Sequence, residues 1–193
     1  ASQFRAKRNM CGTATPYGTL VKTVDVIGTF RSGTSVPKQK SFTIAFQNPF
    51  AFLHLACLQS QHYSMIMQKA LDENPPSPSN PWTIILYSDG VDPTDTASKT
   101  HTRKFIIFYW TFMELGMAAL AHEEVWGILT AVRESHAKAL EGGITGLTSM
   151  CLDQFHGAEF DIMRAGVAVN FLNGGRAKMF AKVGVMLADE PAF

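Results

Sequence analysis

The sequence predicts a mixed α/β domain, in which helices pack on a sheet of β-strands. Hydrophobic residues make up 46% of the 193 residues and charged residues 17%, so the chain can bury a full core and is not globally disordered. β-branched and aromatic runs alternate with stretches of helical periodicity. A proline-rich linker at residues 75–81 separates an N-terminal segment, residues 1–74, from a denser segment, residues 82–193.

The N-terminal segment predicts a hairpin followed by a helix. Residues 19–28 and 41–47 are both β-like and flank a loop, so together they resemble a β-hairpin. Asn48 is suited to cap a helix and Pro49 to occupy its first position. Apolar residues then recur at helical spacing as far as Leu71, which predicts one continuous helix.

Positive charge is concentrated at the N-terminus. Residues 1–41 carry seven Lys and Arg against one Asp, a net charge of +6, whereas the remainder carries −5. A basic arm on an acidic body is suited to hold a polyanion such as DNA, with a solvated terminus as the alternative. The predicted nucleic-acid-binding residues are Arg5, Lys7, Arg8, Lys99, Arg103 and Lys104.

The C-terminal segment shows a definite order of elements. Three β runs at residues 82–88, 104–112 and 125–132 precede a helix at 147–155, and two further β runs at 166–172 and 178–187 flank the turn Asn173-Gly-Gly175. The apolar stretch 105–121 contains Glu114 and is shorter than a membrane span. It therefore predicts a buried strand that runs into a short helix.

Three strands, a helix and another strand are the order in which a ribonuclease H-like core begins. In that fold the first strand and the strand after the helix are parallel neighbours, so we predict that residues 83–88 and 180–188 pair in this way. Asp89 and Asp189 follow these strands and would meet at one edge of the sheet. A turn role is the alternative for each, since Asp commonly bonds its own backbone in turns.

Two converging carboxylates repel each other unless a cation lies between them. Hard oxygen ligands favour Mg²⁺ or Mn²⁺ over zinc, and a pair of such ions about 4 Å apart can cleave phosphodiesters. Asp89 and Asp189 are therefore the predicted catalytic and metal-binding residues. Asp92 and Asp95 are the candidates in the loop after Asp89 for a further acid, although a turn role is favoured for both.

Short motifs along nearly the whole chain resemble those of transposase-like, repeat-encoded proteins of unicellular algae. The matching motifs include Val21-Lys-Thr-Val-Asp25, Asn48-Pro-Phe50, Leu86-Tyr-Ser-Asp89, Tyr109-Trp-Thr-Phe112, Glu123-Glu-Val-Trp126 and Leu187-Ala-Asp-Glu190. The C-terminal segment is also similar to CACTA-type transposase cores, which place Asp-Gly after the first strand and Asp-x-Pro-Ala at the second acid. Those motifs correspond here to Asp89-Gly90 and Asp189-Glu-Pro-Ala192.

The resemblance implies a DNA-binding, ribonuclease H-like core from a mobile element. It also implies a third catalytic carboxylate well beyond the second, and this chain ends at Phe193. The expectation is therefore an incomplete core that binds DNA and a divalent metal but does not transfer strands alone. The alternative is a non-catalytic accessory or interaction subunit of a larger assembly. The expected location is intracellular, and nuclear if the protein acts on DNA.

Other polar residues give weaker indications. His54 and His62 lie eight residues apart, which is not the spacing of a zinc pair on a helix. His122-Glu123-Glu124 is expected to be a polar loop before a strand, and His101 lies in a basic loop suited to phosphate. Thr148, Ser149 and Cys151 have no evident base. Three widely spaced cysteines indicate neither a disulfide framework nor a zinc site.

Overall fold

The computed structural model describes residues 14–31, 36–92, 104–157 and 160–188. The N-terminal part contains β1 (Ala14–Thr15), β2 (Gly18–Thr19), β3 (Val21–Phe30), β4 (Lys38–Gln47), α1 (Pro49–Gln59) and α2 (Gln61–Glu73). The part after the prolines contains β5 (Trp82–Val91), β6 (Phe105–Phe112), α3 (Gly116–Leu120), β7 (Gly127–Arg133), α4 (Glu134–Ala139), α5 (Gly143–His156), β8 (Val167–Asn170), β9 (Arg176–Met179) and β10 (Ala181–Ala188). Two 3₁₀ turns, Met113–Leu115 and Glu123–Val125, flank α3.

A six-stranded mixed sheet organises the molecule, in the order β10-β5-β6-β7-β4-β3. Its neighbours are antiparallel except β10 and β5, which are parallel from Ala181 opposite Trp82 to Ala188 opposite Ser88. The predicted α/β class and the predicted pairing of these two segments are confirmed. The predicted hairpin is also confirmed, because β3 and β4 pair without interruption from Val21 and Gln47 to Phe30 and Lys38.

The elements on either side of the proline-rich segment share one sheet and one core. Phe46 on β4 lies opposite Thr130 on β7, and the Thr130 hydroxyl donates to the Ala45 carbonyl at 2.7 Å. Core side chains come from both parts, including Phe46, Leu53, Trp82, Ile84, Trp110 and Phe155. Residues 75–81 therefore connect α2 and β5, two elements that contribute to the same hydrophobic core.

Asn48 begins the helical layer as predicted. Its Oδ1 accepts from the Phe50 and Ala51 N–H groups, at 3.1 and 3.3 Å, and Pro49 takes the first helical position. The prediction of one continuous helix to Leu71 is wrong, because Ser60 adopts an extended backbone that ends α1 and caps α2. Its hydroxyl accepts from the Tyr63 N–H at 3.2 Å, so a second helix starts at once in a new direction.

The apolar stretch at 105–121 forms strand β6, a 3₁₀ turn and the short helix α3, as predicted. Glu114 is explained by a backbone contact: both of its carboxylate oxygens accept from the Thr83 N–H, each at 2.9 Å. That N–H lies just beyond the last pair of β5 with β6, so the carboxylate takes the place of a strand partner. No helix within the described ranges is long and apolar enough to cross a membrane.

The final β run was predicted as a single strand, which is wrong. Residues 176–179 form β9, which pairs with β8 in a separate hairpin, whereas residues 181–188 form β10 in the main sheet. The Phe180 carbonyl lies between them and accepts from the Trp82 N–H at 2.8 Å. The predicted turn is present, with Gly174 at a φ of +84° and Asn173 Oδ1 accepting from the Gly175 N–H.

Candidate functional site

Asp89 lies on strand β5, and its position corrects the prediction that this strand stops at Ser88. The strand continues to Val91 because β6 supplies partners for the last three residues: Asp89 lies opposite Ile107, and Val91 opposite Phe105. Asp89 is partly buried. It lies three residues after the core residue Leu86, and side chains an odd number of residues apart on a strand point to opposite faces. The Asp89 side chain therefore lies on the sheet face away from the main core.

The second predicted acid, Asp189, lies outside the described residues, as does Asp95. The register of β10 against β5 ends with Ala188 opposite Ser88, and the next residue of each strand in the sequence is an aspartate. Asp92 follows β5 and is partly buried. Among the residues that the structure describes, no three His, Cys, Asp or Glu side chains are grouped to hold a metal ion; Asp189 is not among them.

The face that carries Asp89 also carries a row of apolar and aromatic side chains. Leu187 on β10 lies opposite Tyr87 on β5, Tyr87 opposite Tyr109 on β6, and Tyr109 opposite Ile128 on β7. The two tyrosine rings are 6.0 Å apart and inclined by 24°. We call these four residues the cross-strand row; it was not predicted, because it depends on the register of four strands.

Electrostatics link this row to Asp89. Burial raises the pKa of Tyr109, and the negative charges of Asp89 and Glu123 raise it further. A negative charge near a phenol favours the neutral hydroxyl over the phenolate. The Tyr109 hydroxyl is therefore a neutral polar group at physiological pH, beside a negatively charged neighbour.

Cations lie at the end of the sheet where β5 ends. Val91 lies opposite Phe105, which follows Lys104, and Phe105 lies opposite the exposed Arg133. The tip of the β3–β4 hairpin lies at this same end and contributes the exposed residues Arg31, Lys38 and Lys40. Of the predicted nucleic-acid-binding residues, Lys104 is at this end; Arg5, Lys7, Arg8, Lys99 and Arg103 lie outside the described residues, as does His101. Arg133 was missed by the sequence analysis because its location depends on strand pairing.

The other histidine and acidic candidates occupy separate places. His62 on α2 pairs through Nδ1 with Glu124 at 2.5 Å, and its ring is 6.3 Å from that of His122. The predicted polar loop at His122 is a 3₁₀ turn before β7. His54 packs edge-on against Tyr17, with ring centroids 6.2 Å apart. None of these contacts reaches Asp89 in the part of the chain described.

Thr148 and Cys151, for which the sequence showed no evident base, are not activated as nucleophiles by the surroundings that the structure describes. Burial raises the pKa of the Cys151 thiol to about 12, and likewise that of Cys57. A thiol with so high a pKa carries almost no thiolate at neutral pH. The Thr148 hydroxyl donates to the Ile144 carbonyl one helical turn earlier, at 2.9 Å.

One polar contact that the sequence analysis missed holds the edge of the sheet. His156, at the end of α5, has Nδ1 3.1 Å from Asp161 Oδ1, and its Nε2 accepts from the Val183 N–H at 3.4 Å. Hydrogen bonds from His156 and from backbone N–H groups lower the pKa of Asp161 despite partial desolvation. The imidazole is thus engaged at both nitrogens and supports β10, rather than facing a reacting group.

Comparison with known proteins found no matching family model, curated protein or solved structure.

Proposed function

We propose that this chain is a ribonuclease H-like core of the transposase type, which binds DNA and holds Mg²⁺ or Mn²⁺ between Asp89 and Asp189. The observation that carries the proposal is the parallel register of β10 with β5. Ala188 lies opposite Ser88, and an aspartate follows each of them. Neighbouring strands lie about 4.8 Å apart, a separation that one cation can bridge.

The strand order supports the same proposal. Strands β5, β6 and β7 form three successive antiparallel neighbours, and after helix α5 the chain returns to place β10 beside β5 in parallel. This is the arrangement expected when a ribonuclease H-like core begins, here extended at its far edge by the β3–β4 hairpin. In parallel pairs of this kind, ligands bind beyond the carboxyl ends of the strands.

The distribution of charge favours a polyanion at this edge. Two carboxylates without a metal would repel phosphate, whereas a bound divalent ion neutralises their charge and can itself coordinate a phosphate oxygen. Lys104, Arg133 and the hairpin tip surround the same end of the sheet. From β5 to β3 is four strand spacings, about 19 Å, which is long enough for several phosphates of a DNA backbone.

Calorimetric titration with MnCl₂ tests the metal site, using the parent chain, Asp89→Asn and the matched control Asp72→Asn. Asp72 is an exposed aspartate near the end of α2, which lies by the start of β5, where the Asn74 carbonyl accepts from Trp82 Nε1, and not by Asp89 at the other end of that strand. The parent and the control are expected to bind Mn²⁺ weakly, since two carboxylates leave most of a six-coordinate ion to water. Asp89→Asn is expected to abolish the binding. An equal response of all three proteins would refute the metal site.

A non-catalytic interaction subunit is the second candidate, and one observation favours it. Strand β10 is an edge of the sheet, carries no charge from Val183 to Ala188, and exposes Met186 and Leu187 by about half. Edge strands without charges or prolines are suited to pair with another chain. Self-association that is lost in Met186→Lys, together with no response to Mn²⁺, would favour this candidate over the first.

A further inference from the structure

The cross-strand row is an uninterrupted surface feature of four neighbouring strands. Leu187 and Ile128, at its two ends, expose 51% and 50% of their surface, and Tyr87 and Tyr109 between them are partly exposed. Helices α1, α2 and α5 contribute to the main core on the opposite face of the sheet. The row therefore presents two aromatic rings between two aliphatic side chains. Trp126 packs edge-on against Tyr87, with ring centroids 6.5 Å apart, and no long helix covers this face in the described part of the chain.

The surroundings of the row distinguish it from a purely apolar patch. The next row toward the carboxyl end of β5 contains Asp89 opposite Ile107, and the row beyond it contains Phe105 opposite Arg133. Successive rows on one face are two residues apart, about 6.6 Å. An extended ligand on this face would thus meet rings, then a carboxylate, then a guanidinium.

We propose that the cross-strand row is a platform for the bases of an unpaired nucleic-acid strand, whose phosphates lie toward Arg133. This inference rests on the proposed function only in taking a nucleic acid as the ligand of this face, and it does not require the metal. Bases stack on aromatic side chains regardless of sequence, since every base has a π-face. The Tyr87 and Tyr109 ring centroids are 6.0 Å apart, so each ring would take one base.

An unpaired strand fits this arrangement better than a duplex. The bases of a duplex are stacked on each other and turn only their edges outward, so they cannot lie flat on Tyr87 and Tyr109. The tyrosine hydroxyls are also suited to a polar ligand. Arg133 supplies the positive charge for a phosphate on the same face.

Fluorescence anisotropy with a labelled twelve-residue oligothymidylate in EDTA tests the platform separately from the metal site. Tyr109→Leu keeps an apolar side chain but removes the ring, Tyr109→Phe keeps the ring, and Ile27→Ala removes an exposed apolar side chain from the distant strand β3. Parent, Tyr109→Phe and Ile27→Ala are expected to bind alike within about two-fold. Tyr109→Leu is expected to bind about 5- to 150-fold more weakly, the range for loss of one base–aromatic stack.

Several outcomes would overturn the proposal. Equal binding by a folded Tyr109→Leu protein would show that no base stacks there, and tighter binding of a duplex of equal length would show that the unpaired strand is not the ligand. A parent that dimerises by light scattering, and becomes monomeric in Leu187→Ser, would show that the row is a protein contact. If Tyr109→Leu fails to fold, Tyr87→Leu, which removes the other ring of the row, replaces it with the same expected loss of binding. If the parent binds the oligothymidylate as expected but does not bind Mn²⁺, the metal site is refuted and the platform is not.

Discussion

The proposed proximity of Asp89 and Asp189 can be tested without any metal, by neutralising each acid and then both. Two unit charges about 5 Å apart repel by ~3 kcal/mol at an effective dielectric constant of about 20, and by ~1 kcal/mol in water. Asp89 is partly buried, so its repulsion should fall between these limits. In EDTA, Asp89→Asn is therefore expected to raise the free energy of unfolding by about 1–3 kcal/mol, or the melting temperature by roughly 2–10 °C.

The double-mutant cycle separates this repulsion from unrelated effects of each substitution. Once one carboxylate is neutral, neutralising the other should bring little further stabilisation, so the coupling free energy should equal the repulsion. Thermal and urea melts followed by circular dichroism, at low salt and pH 7.5, measure all four proteins. Substitutions at distant sites are additive within about 0.5 kcal/mol. Additivity of Asp89→Asn and Asp189→Asn within that margin would refute the convergence of the two acids.

Three further predictions concern the fold and the charged end. Asn48→Ala should destabilise by about 2–4 kcal/mol in urea melts, because it removes the cap of α1 and leaves the Tyr17 carbonyl without the Asn48 amide, which donates to it at 2.6 Å. Arg133→Gln should reduce the slope of log affinity against log salt for DNA by about 0.7–0.9, whereas Lys182→Gln, at the other end of the sheet, should not. In a variant without the third cysteine, Cys57 and Cys151 should react with a thiol reagent at pH 8 only after unfolding, because burial raises the pKa of each thiol to about 12.

The features predicted correctly from the sequence are those set by local patterns. Asn48 and Pro49 mark a helix start whatever the rest of the fold, and the apolar run at 105–121 contains the signals of both a strand and a short helix. The parallel pairing of β5 and β10 is non-local, and it was predicted from the order of elements rather than from any pair of residues. Connections between parallel strands through a helix are almost always right-handed, which leaves few other positions in the sheet for the strand that follows the helix.

The errors in prediction also have physical causes. Ser60 lies inside a helical pattern, and periodicity gives no sign that its hydroxyl will cap a second helix. The run at 178–187 is β-like throughout, yet Phe180 marks the change from one sheet to another because its carbonyl binds the Trp82 N–H. The cross-strand row and the location of Arg133 depend on registers between strands that are distant in sequence, which no local pattern specifies.

A bulge sets the register of β10, on which both the cross-strand row and the proposed meeting of Asp89 with Asp189 depend. Val183 lies opposite Ile84 but Val185 opposite Ile85, so the register shifts by one residue at Gly184. A Cβ at Gly184 would lie 2.7 Å from the Thr83 methyl group, which explains a glycine at this point.

Without the shift, Leu187 would lie opposite Ser88 and point to the other face, because the side-chain period of a strand is two. Ala188 would then lie opposite Asp89 instead of Ser88, and the aspartate that follows Ala188 in the sequence would be one residue out of step with Asp89. The bulge therefore places Leu187 beside Tyr87 and Ala188 opposite Ser88, the register on which the proposed meeting of the two aspartates rests. His156, held by Asp161, binds the Val183 N–H at the start of the shift. A contact remote from Asp89 thus supports the strand phase on which both proposed sites depend.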